Sequence, residues 1–495
     1  MGIKKYYATK DNTITNAFKE NLITRGTGSN MGAADVLEAF VIQGQTSASI
    51  NATNAEQSRI IIQFPVSSIQ SDIDNGILPA DTGSIKFHLN LYNAPHGSTT
   101  PENFTLDLKM LSQSWTEGRG LDMDNYSDAG VSNWISASSG VQWDTAGGSF
   151  LTGLNTSASI SFDTGLENIS IDISEQVYKW LDTTDNYGFL IKFPDDDLSG
   201  PDSFYTKKFF GRTSEFFHYQ PTIEARWDSA RKDNRGNFYI SSSIAPAADN
   251  LNTLYLYNVI RGQLTNIPGL SDNKLMVEIY SGSTAPTGDP LSVVDSDGSS
   301  VTAITGGLLV ENGNTVTGVY TASFASTSSL DTIFDVWHTG SGGSRIEFYT
   351  GSYEPLSVAT SDLLYDTVYL TTITNLDDEY KKGQKPKLRV FVRDKDWSPN
   401  IYTVANATVE TTIIEDAYYR IFRSIDNLEI VPYGTGSSNN NFTRLSYDVS
   451  GNYFELDTSY LEPGYMYGIQ FAYYLQGEYR EQPEVFKFKI EEDDV

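Results

Sequence analysis

Apolar side chains recur at every second position along this chain, in short runs bounded by Gly, Asn, Asp, Ser and Pro. That is the strand period, because successive side chains on a strand point to opposite faces. In Ile85-Lys86-Phe87-His88-Leu89-Asn90-Leu91 the Ile, Phe and two Leu share one face, and Lys, His and Asn share the other. Residues 465–471 and 486–490 repeat the pattern. Each run predicts a half-buried antiparallel strand, one face on a core and one in water. Many such strands divided by polar turns predict β-sandwiches.

Helical signals are few. Residues 173–181 are the strongest: Ser174 is a candidate cap, and Val177, Trp180 and Leu181 fall on one face at i, i+3 and i+4. Residues 36–42 read as a strand. At ~150 residues per domain, 495 residues suggest about three domains. Two polar, turn-rich stretches mark the breaks, one after Trp227 (228–236) and one from Asp377 to Pro386. The expected organisation is all-β: a larger jelly-roll-like sandwich over 1–227, then immunoglobulin-like sandwiches over 228–384 and 385–495. Ile3 to Phe18 is a candidate first strand or docking arm, and the acidic stretch 491–494 a solvated tail.

Composition excludes several classes of chemistry. With 34 basic and 63 acidic residues the net charge is −29, a field that repels phosphate backbones and argues against nucleic-acid binding. Aromatics make up 13% and charged residues only 20%, so this is not a disordered acidic chain. There is no Cys, which removes disulfides, thiolate nucleophiles and thiolate metal sites. The four His are scattered. No run of ~18 apolar residues predicts a membrane helix, and the opening Met1-Gly2-Ile3-Lys4-Lys5-Tyr6 lacks a secretory apolar core.

The first block carries a series of phrases in a specific order. These are Arg59-Ile60-Ile61-Ile62-Gln63-Phe64-Pro65 with its following turn, the strand from Ile85, Ser114-Trp115-Thr116-Glu117, and Val141-Gln142-Trp143. Ile171-Asp172-Ile173-Ser174 through Trp180 and Asn186-Tyr187-Gly188-Phe189-Leu190-Ile191 complete the series. In this order they resemble the DNRLRE family, β-sandwiches grouped with carbohydrate-binding modules. Over nearly its whole length the chain also resembles virion structural proteins of marine T4-like tailed phages. That likeness rests on the segment from Tyr7 to Phe18, on Pro221-Thr222-Ile223-Glu224-Ala225-Arg226-Trp227-Asp228, and on the segment from Pro246 to Tyr257. The resemblance implies a non-enzymatic part of the neck, tail or baseplate, assembled in the host cytoplasm with other virion proteins and copies of itself. The main alternative is a glycan-binding adhesin or tail-fibre-like protein that recognises host surface polysaccharide, and a third reading is a polysaccharide-degrading enzyme. A Tyr-rich, charge-poor surface suits protein contacts.

Three sets of residues are candidates for chemistry. Asp122, Asp124 and Asp128 fall in one polar loop, and closely spaced carboxylates can supply oxygens to calcium, although the helix-loop-helix calcium spacing is absent. A solvated acidic loop is the simpler reading; structural calcium is the one cofactor considered. Trp134 and Trp143 lie in the longest irregular segment, about 112–158, where loops on a rigid sandwich can present rings to a host glycan. Their burial is the simpler reading. Lys381, Lys382, Lys385 and Lys387 form a basic patch that can dock an acidic neighbour. No carboxylate pair is singled out by spacing, so no glycosidase is expected. His218 and His338 have no nucleophile in view, Trp337 alternates like a core residue, and Asn312-Gly313 predicts a tight hairpin turn.

Overall fold

The computed structural model describes residues 2–44, 54–81, 83–96, 100–127, 130–182, 184–241, 246, 249–328, 330–356, 368–396, 411–435 and 441–491; of Asp124–Ser127 it describes the backbone. The protein is all-β, with sandwich-like antiparallel sheets. It divides into two compact units, Ile3–Trp227 and Asp228–Val495, the first two residues belonging with the second.

In the first unit a four-stranded sheet runs Ile3–Tyr7, Thr222–Arg226, Lys86–Leu91, Ile169–Asp172. A nine-stranded sheet runs Ser157–Phe162, Phe104–Met110, Phe189–Lys192, Glu56–Gln63, Lys10–Thr15, Ser29–Asn30, Asp122–Ser127. Val36–Ile42 branches from Glu56–Gln63 and carries Phe204–Phe210. Phe87, Leu89 and Leu91 from the smaller sheet meet Ile60, Ile62, Leu106, Leu108 and Phe189 from the larger in one core. The segment from Ile3 to Phe18 is therefore spent mainly on two strands of the unit's own sheets.

Three expectations need correction here. The outward side of Lys86–Leu91 is not in water: His88 and Asn90 are buried. Across from them Glu224 pairs with Lys5 (3.0 Å) and Arg226 (2.7 Å). Burial opposes ionisation of Glu224, and the two cations overcome it, holding the carboxyl down at about 2. Helix α2, Ser174–Asp182, does form, with Val177 and Trp180 in the core and Leu181 against it. Its cap is Asp172, not Ser174. Asp172 Oδ1 accepts from the Ser174 N–H (2.9 Å) and hydroxyl (2.6 Å), while Ser174 Oγ accepts the Phe87 N–H (2.9 Å). Helix α1, Val66–Asp74, replaces the turn expected after Pro65. Val66, Ile69 and Ile73 carried its period, and Pro65 opens it.

In the second unit a six-stranded sheet runs Asn252–Tyr257, Asn314–Phe324, Ile304–Glu311, Lys274–Ser281, Ile333–Thr339, Ile346–Tyr353. Its core holds Trp337, fully buried as its alternation predicts, with Phe238, Leu254, Val277 and Tyr320. Two further sheets follow. One runs Tyr369–Ile373, Lys387–Asp394, Gly451–Glu455, Ser446–Asp448. The other runs Glu379–Lys381, Glu478–Glu491, Met466–Leu475, Ala417–Arg423, Leu428–Val431. They face each other: Tyr419 stacks on Phe454 at 4.5 Å, and Thr371 Oγ1 and the Tyr473 hydroxyl are 2.7 Å apart. Strands on both sides of residue 384 share these sheets. Asn312 and Gly313 do form the predicted turn. Both have positive φ (53° and 79°), and Glu311 pairs with Asn314. Among the described residues no helix is long and apolar enough to cross a membrane.

Candidate functional site

The sequence pointed to the irregular stretch around residues 112–158, and its geometry explains the tryptophans. Glu56–Gln63 is buried on both faces. Ile60 and Ile62 face the main core, while Ile61 joins Ile14, Leu111 and Leu190 on the opposite side of the sheet. An antiparallel strand with a second apolar face needs a second cover. Trp115, Trp134 and Trp143 provide it. Trp134 and Trp143 are 7% and 5% exposed, so neither offers the open ring face a sugar would stack on. Trp143 Nε1 donates to the Asn133 carbonyl (2.8 Å), and Trp115 Nε1 to that of Tyr187 (2.9 Å). Arg59 lies under Trp134, 4.8 Å from the ring, and donates to the Gly147 carbonyl (3.0 Å). Burial lowers its guanidinium to about 10. Gly147 has φ +86°, and a Cβ there would sit 2.8 Å from the Trp134 ring. Only glycine serves.

The acidic stretch is not the polar loop expected. Asp122–Ser127 is a strand paired with Ser29–Asn30 across a register shift. Asp122 is exposed. The side chain of Asp124, and Asp128 altogether, lie outside the described residues. Among those described, no three His, Asp or Glu side chains gather as a cation site.

Sequence reasoning missed the buried charges. Asp11 is fully buried; its Oδ2 accepts the Arg212 N–H (2.6 Å), and Arg212 forks onto Glu117 (2.8 and 2.5 Å). Burial pushes Asp11 up to about 7, with Glu117 adding and Arg212 opposing. Lys207, also fully buried, donates to Asn93 Oδ1 (2.6 Å) and to the carbonyls of Gly165 (2.8 Å) and Glu167 (2.9 Å). Burial lowers it to about 8 against the pull of Glu167. A charged residue inside a polar stretch leaves no signal in sequence to separate it from a solvated one.

The stretch after Trp227 shows the same thing. Arg235 reaches Asp335 (2.6 Å) and Asp233 (3.1 Å), and Asp335 also accepts Trp337 Nε1 (2.7 Å). Asp233 N–H donates to the Tyr447 carbonyl, Tyr447 N–H to that of Arg231, and Asn234 N–H to that of Thr253. Arg231 forks onto Glu311 (2.5 and 2.6 Å). The expected linker is a strap hydrogen-bonded to both β-systems of the second unit. The basic patch is partly consumed too: Lys385 pairs with Asp457 (2.6 Å), and Lys387 sits 3.6 Å over the Tyr453 ring. His338 is buried 3.5 Å from Glu278, which Arg345 already holds at 2.6 Å. Tyrosines also went inward; Tyr320, Tyr418, Tyr419, Tyr447, Tyr467 and Tyr473 are fully buried.

What stays open is the edge of the six-stranded sheet. Ile346–Tyr353 pairs on one side with Ile333–Thr339 and, among the described residues, with no strand on the other. Its first five residues are exposed, Ile346 by 58%, with Phe348 and Tyr349 beside it. Glu347 is its single charge, and it has no Lys or Pro. Edges that must stay single are blunted by Lys, Pro or bulges that prevent pairing. This one has a bulge opposite Trp337 and His338 but an apolar surface. A hairpin in the same unit, Val259–Ile260 with Gln263–Leu264, exposes Val259, Ile260 and Leu264. No family model matches the sequence, and no curated protein matches it.

Proposed function

We propose that the protein is a non-enzymatic structural component of a tailed-phage virion, in the neck, tail or baseplate region, assembling by contacts with other virion proteins and with copies of itself. The observation that carries the assembly reading is the open apolar edge Ile346–Tyr353. A strand edge offers a row of backbone donors and acceptors to a neighbour, and its side chains add apolar area. In a repeated assembly one such contact recurs around the symmetry axis. The phage context comes from the resemblance of the chain over most of its length. The adhesin alternative leaned on Trp134 and Trp143, whose rings are in a core. Cryo-electron microscopy of the particle tests the proposal. The expected result places this chain around the neck, tail or baseplate with Ile346–Tyr353 covered by a neighbouring subunit. A chain projecting from the particle with that strand bare, and with residues 112–158 at the distal tip, overturns it.

A further inference from the structure

Lys207 is fully buried, yet among the described residues no acid lies within hydrogen-bond reach of its amine. Lys5 and Lys192, whose side chains are also buried, are paired with Glu224 and Asp195. A charge taken out of water without a counter-ion is costly, so a buried ammonium is ordinarily paired. The strand is bent to put Lys207 where it is. Phe204–Phe210 shifts register against Val36–Ile42 between Phe204 and Lys207, and Thr206 inside the shift has φ +36°, a conformation that β-branched residues rarely adopt. Bulges re-aim side chains, and strain that a fold retains collects at functional positions.

What faces the amine is a carboxamide. Nζ lies 2.6 Å from Asn93 Oδ1, with the carbonyls of Gly165 and Glu167 at 2.8 and 2.9 Å. The rings of Phe162 and Phe209, 5.0 and 4.9 Å away, close the site on its other sides. The amide carbon of Asn93 is one C=O bond, about 1.2 Å, behind Oδ1, which brings it close to attacking distance, about 3–3.5 Å. His96 Nε2 lies 3.0 Å from the same oxygen. Asn93 Nδ2 makes no hydrogen bond among the described residues, and Asn93 is half-buried, so that nitrogen has a way out to water. Burial lowers Lys207 to about 8, so about one amine in ten is neutral at pH 7, against under about one in a thousand for an ordinary lysine. A neutral amine has two hydrogens and a lone pair. The two backbone carbonyls take the hydrogens, and the lone pair is left for Asn93.

We propose that Lys207 and Asn93 join through an intramolecular isopeptide bond, with His96 stabilising the oxygen. The Nζ lone pair forms the bond to Cγ, and the carbonyl pair moves onto Oδ1, where the Nε2–H tautomer of His96 donates a hydrogen bond. One Nζ hydrogen passes to Nδ2, the Cγ–Nδ2 bond breaks, and ammonia leaves. The product is a secondary amide that keeps one N–H, and no oxidant or cofactor enters. A neutral amide then stands where an unpaired buried charge stood. The bond ties residues 114 apart in a chain that has no cysteine for a disulfide. It joins the segment after Lys86–Leu91, in the smaller sheet of the first unit, to Phe204–Phe210, carried by the larger. The inference stands apart from the virion proposal, since the mass of the isolated chain reads it.

The test weighs the full chain, denatured, and maps its tryptic peptides. The intact mass is expected about 17 Da, one ammonia, below that of the sequence. Residues 87–109 are expected joined to 193–208, because trypsin does not cut at an acylated Lys207. Lys207→Arg and Asn93→Leu are each expected at full mass with no linked peptide. His96→Phe is expected to close about 100-fold more slowly, read as the unlinked fraction at successive times after synthesis. Wild type at full mass with the two peptides separate, in a chain that unfolds cooperatively, overturns the inference. So does a loss of ammonia mapped elsewhere, such as a succinimide at Asn312-Gly313, or one that survives in Lys207→Arg. His96→Phe closing at the wild-type rate overturns the role given to His96.

Discussion

As sequence, residues 111–150 of the first unit resemble residues 228–237 of the second unit: both are polar, glycine-containing and without a strand pattern. One read as a binding loop and the other as a linker. Both send described side chains into a core, and they close their cores by opposite means. The first lays three indoles over Ile14, Ile61 and Leu190. The other threads Arg235 between Asp233 and Asp335 beneath Trp337. Irregular sequence therefore need not mean surface. What differs is how each closure fails: an apolar lid loses area when cut, but a buried ion pair strands a charge.

That difference sets the order of expected effects. Asp335→Ala leaves Arg235 short of its main partner and Trp337 Nε1 without an acceptor. Breaking one side of a buried pair costs about 3–5 kcal/mol, read as a lower urea midpoint for the second unit. Replacing both partners, Arg235→Met with Asp335→Leu, should recover most of that loss. If the single change costs under about 1 kcal/mol, the strap is not a buried-charge closure and the comparison fails. Trp134→Ala comes next. It removes an indole from the lid and opens Arg59 to water, for about 3 kcal/mol in the first unit. A loss no larger than that of an exposed side chain would mean the lid is not core.

A third effect separates the units by pH. Asp11 keeps its proton to about 7 in the folded protein against 3.8 unperturbed, with Glu117 and Arg212 the charged groups facing it. The folded state then binds more protons than the unfolded one between these values. Stability from this group is full below about 4, falls as pH rises and is gone above about 7. Comparing wild type with Asp11→Asn cancels the other groups. The asparagine protein should gain on wild type through that window, at up to about 1.4 kcal/mol per pH unit. A difference that stays flat from pH 4 to 8 would show that Asp11 is ionised in the fold, with Arg212 winning over burial.

Legibility followed physics in the same way. Period-two runs such as 85–91 showed the strands, because alternation is local. Trp337 and the face of α2 were legible for the same reason. Most of the missed features depend on partners far along the chain; α1 is the exception, since Val66, Ile69 and Ile73 carried its period locally. Arg235 finds Asp335, 100 residues on. Asp11 meets Arg212, 201 residues away. Ser174 lost the cap to Asp172 because the Phe87 N–H took its hydroxyl. At the candidate sites, Trp134 and Trp143 were found as residues, but Ile61 decided their side of the sheet.

The smallest expected effect concerns two hairpin turns that the fold treats alike and the sequence does not. Asn312-Gly313 joins Ile304–Glu311 to Asn314–Phe324, and Arg261-Gly262 joins Val259–Ile260 to Gln263–Leu264. Both central residues of each have positive φ: 53° and 79° in the first, 52° and 81° in the second. Asn tolerates that region because its short polar side chain bonds locally; Arg gains nothing there. So only the first turn was readable, although the backbone asks the same of both. Asn312→Ala should cost about 1 kcal/mol, and Arg261→Asn should stabilise the second unit by a few tenths of that. Urea midpoints of the two variants check it. The same sign for both changes would mean that strand pairing, not turn conformation, sets these hairpins.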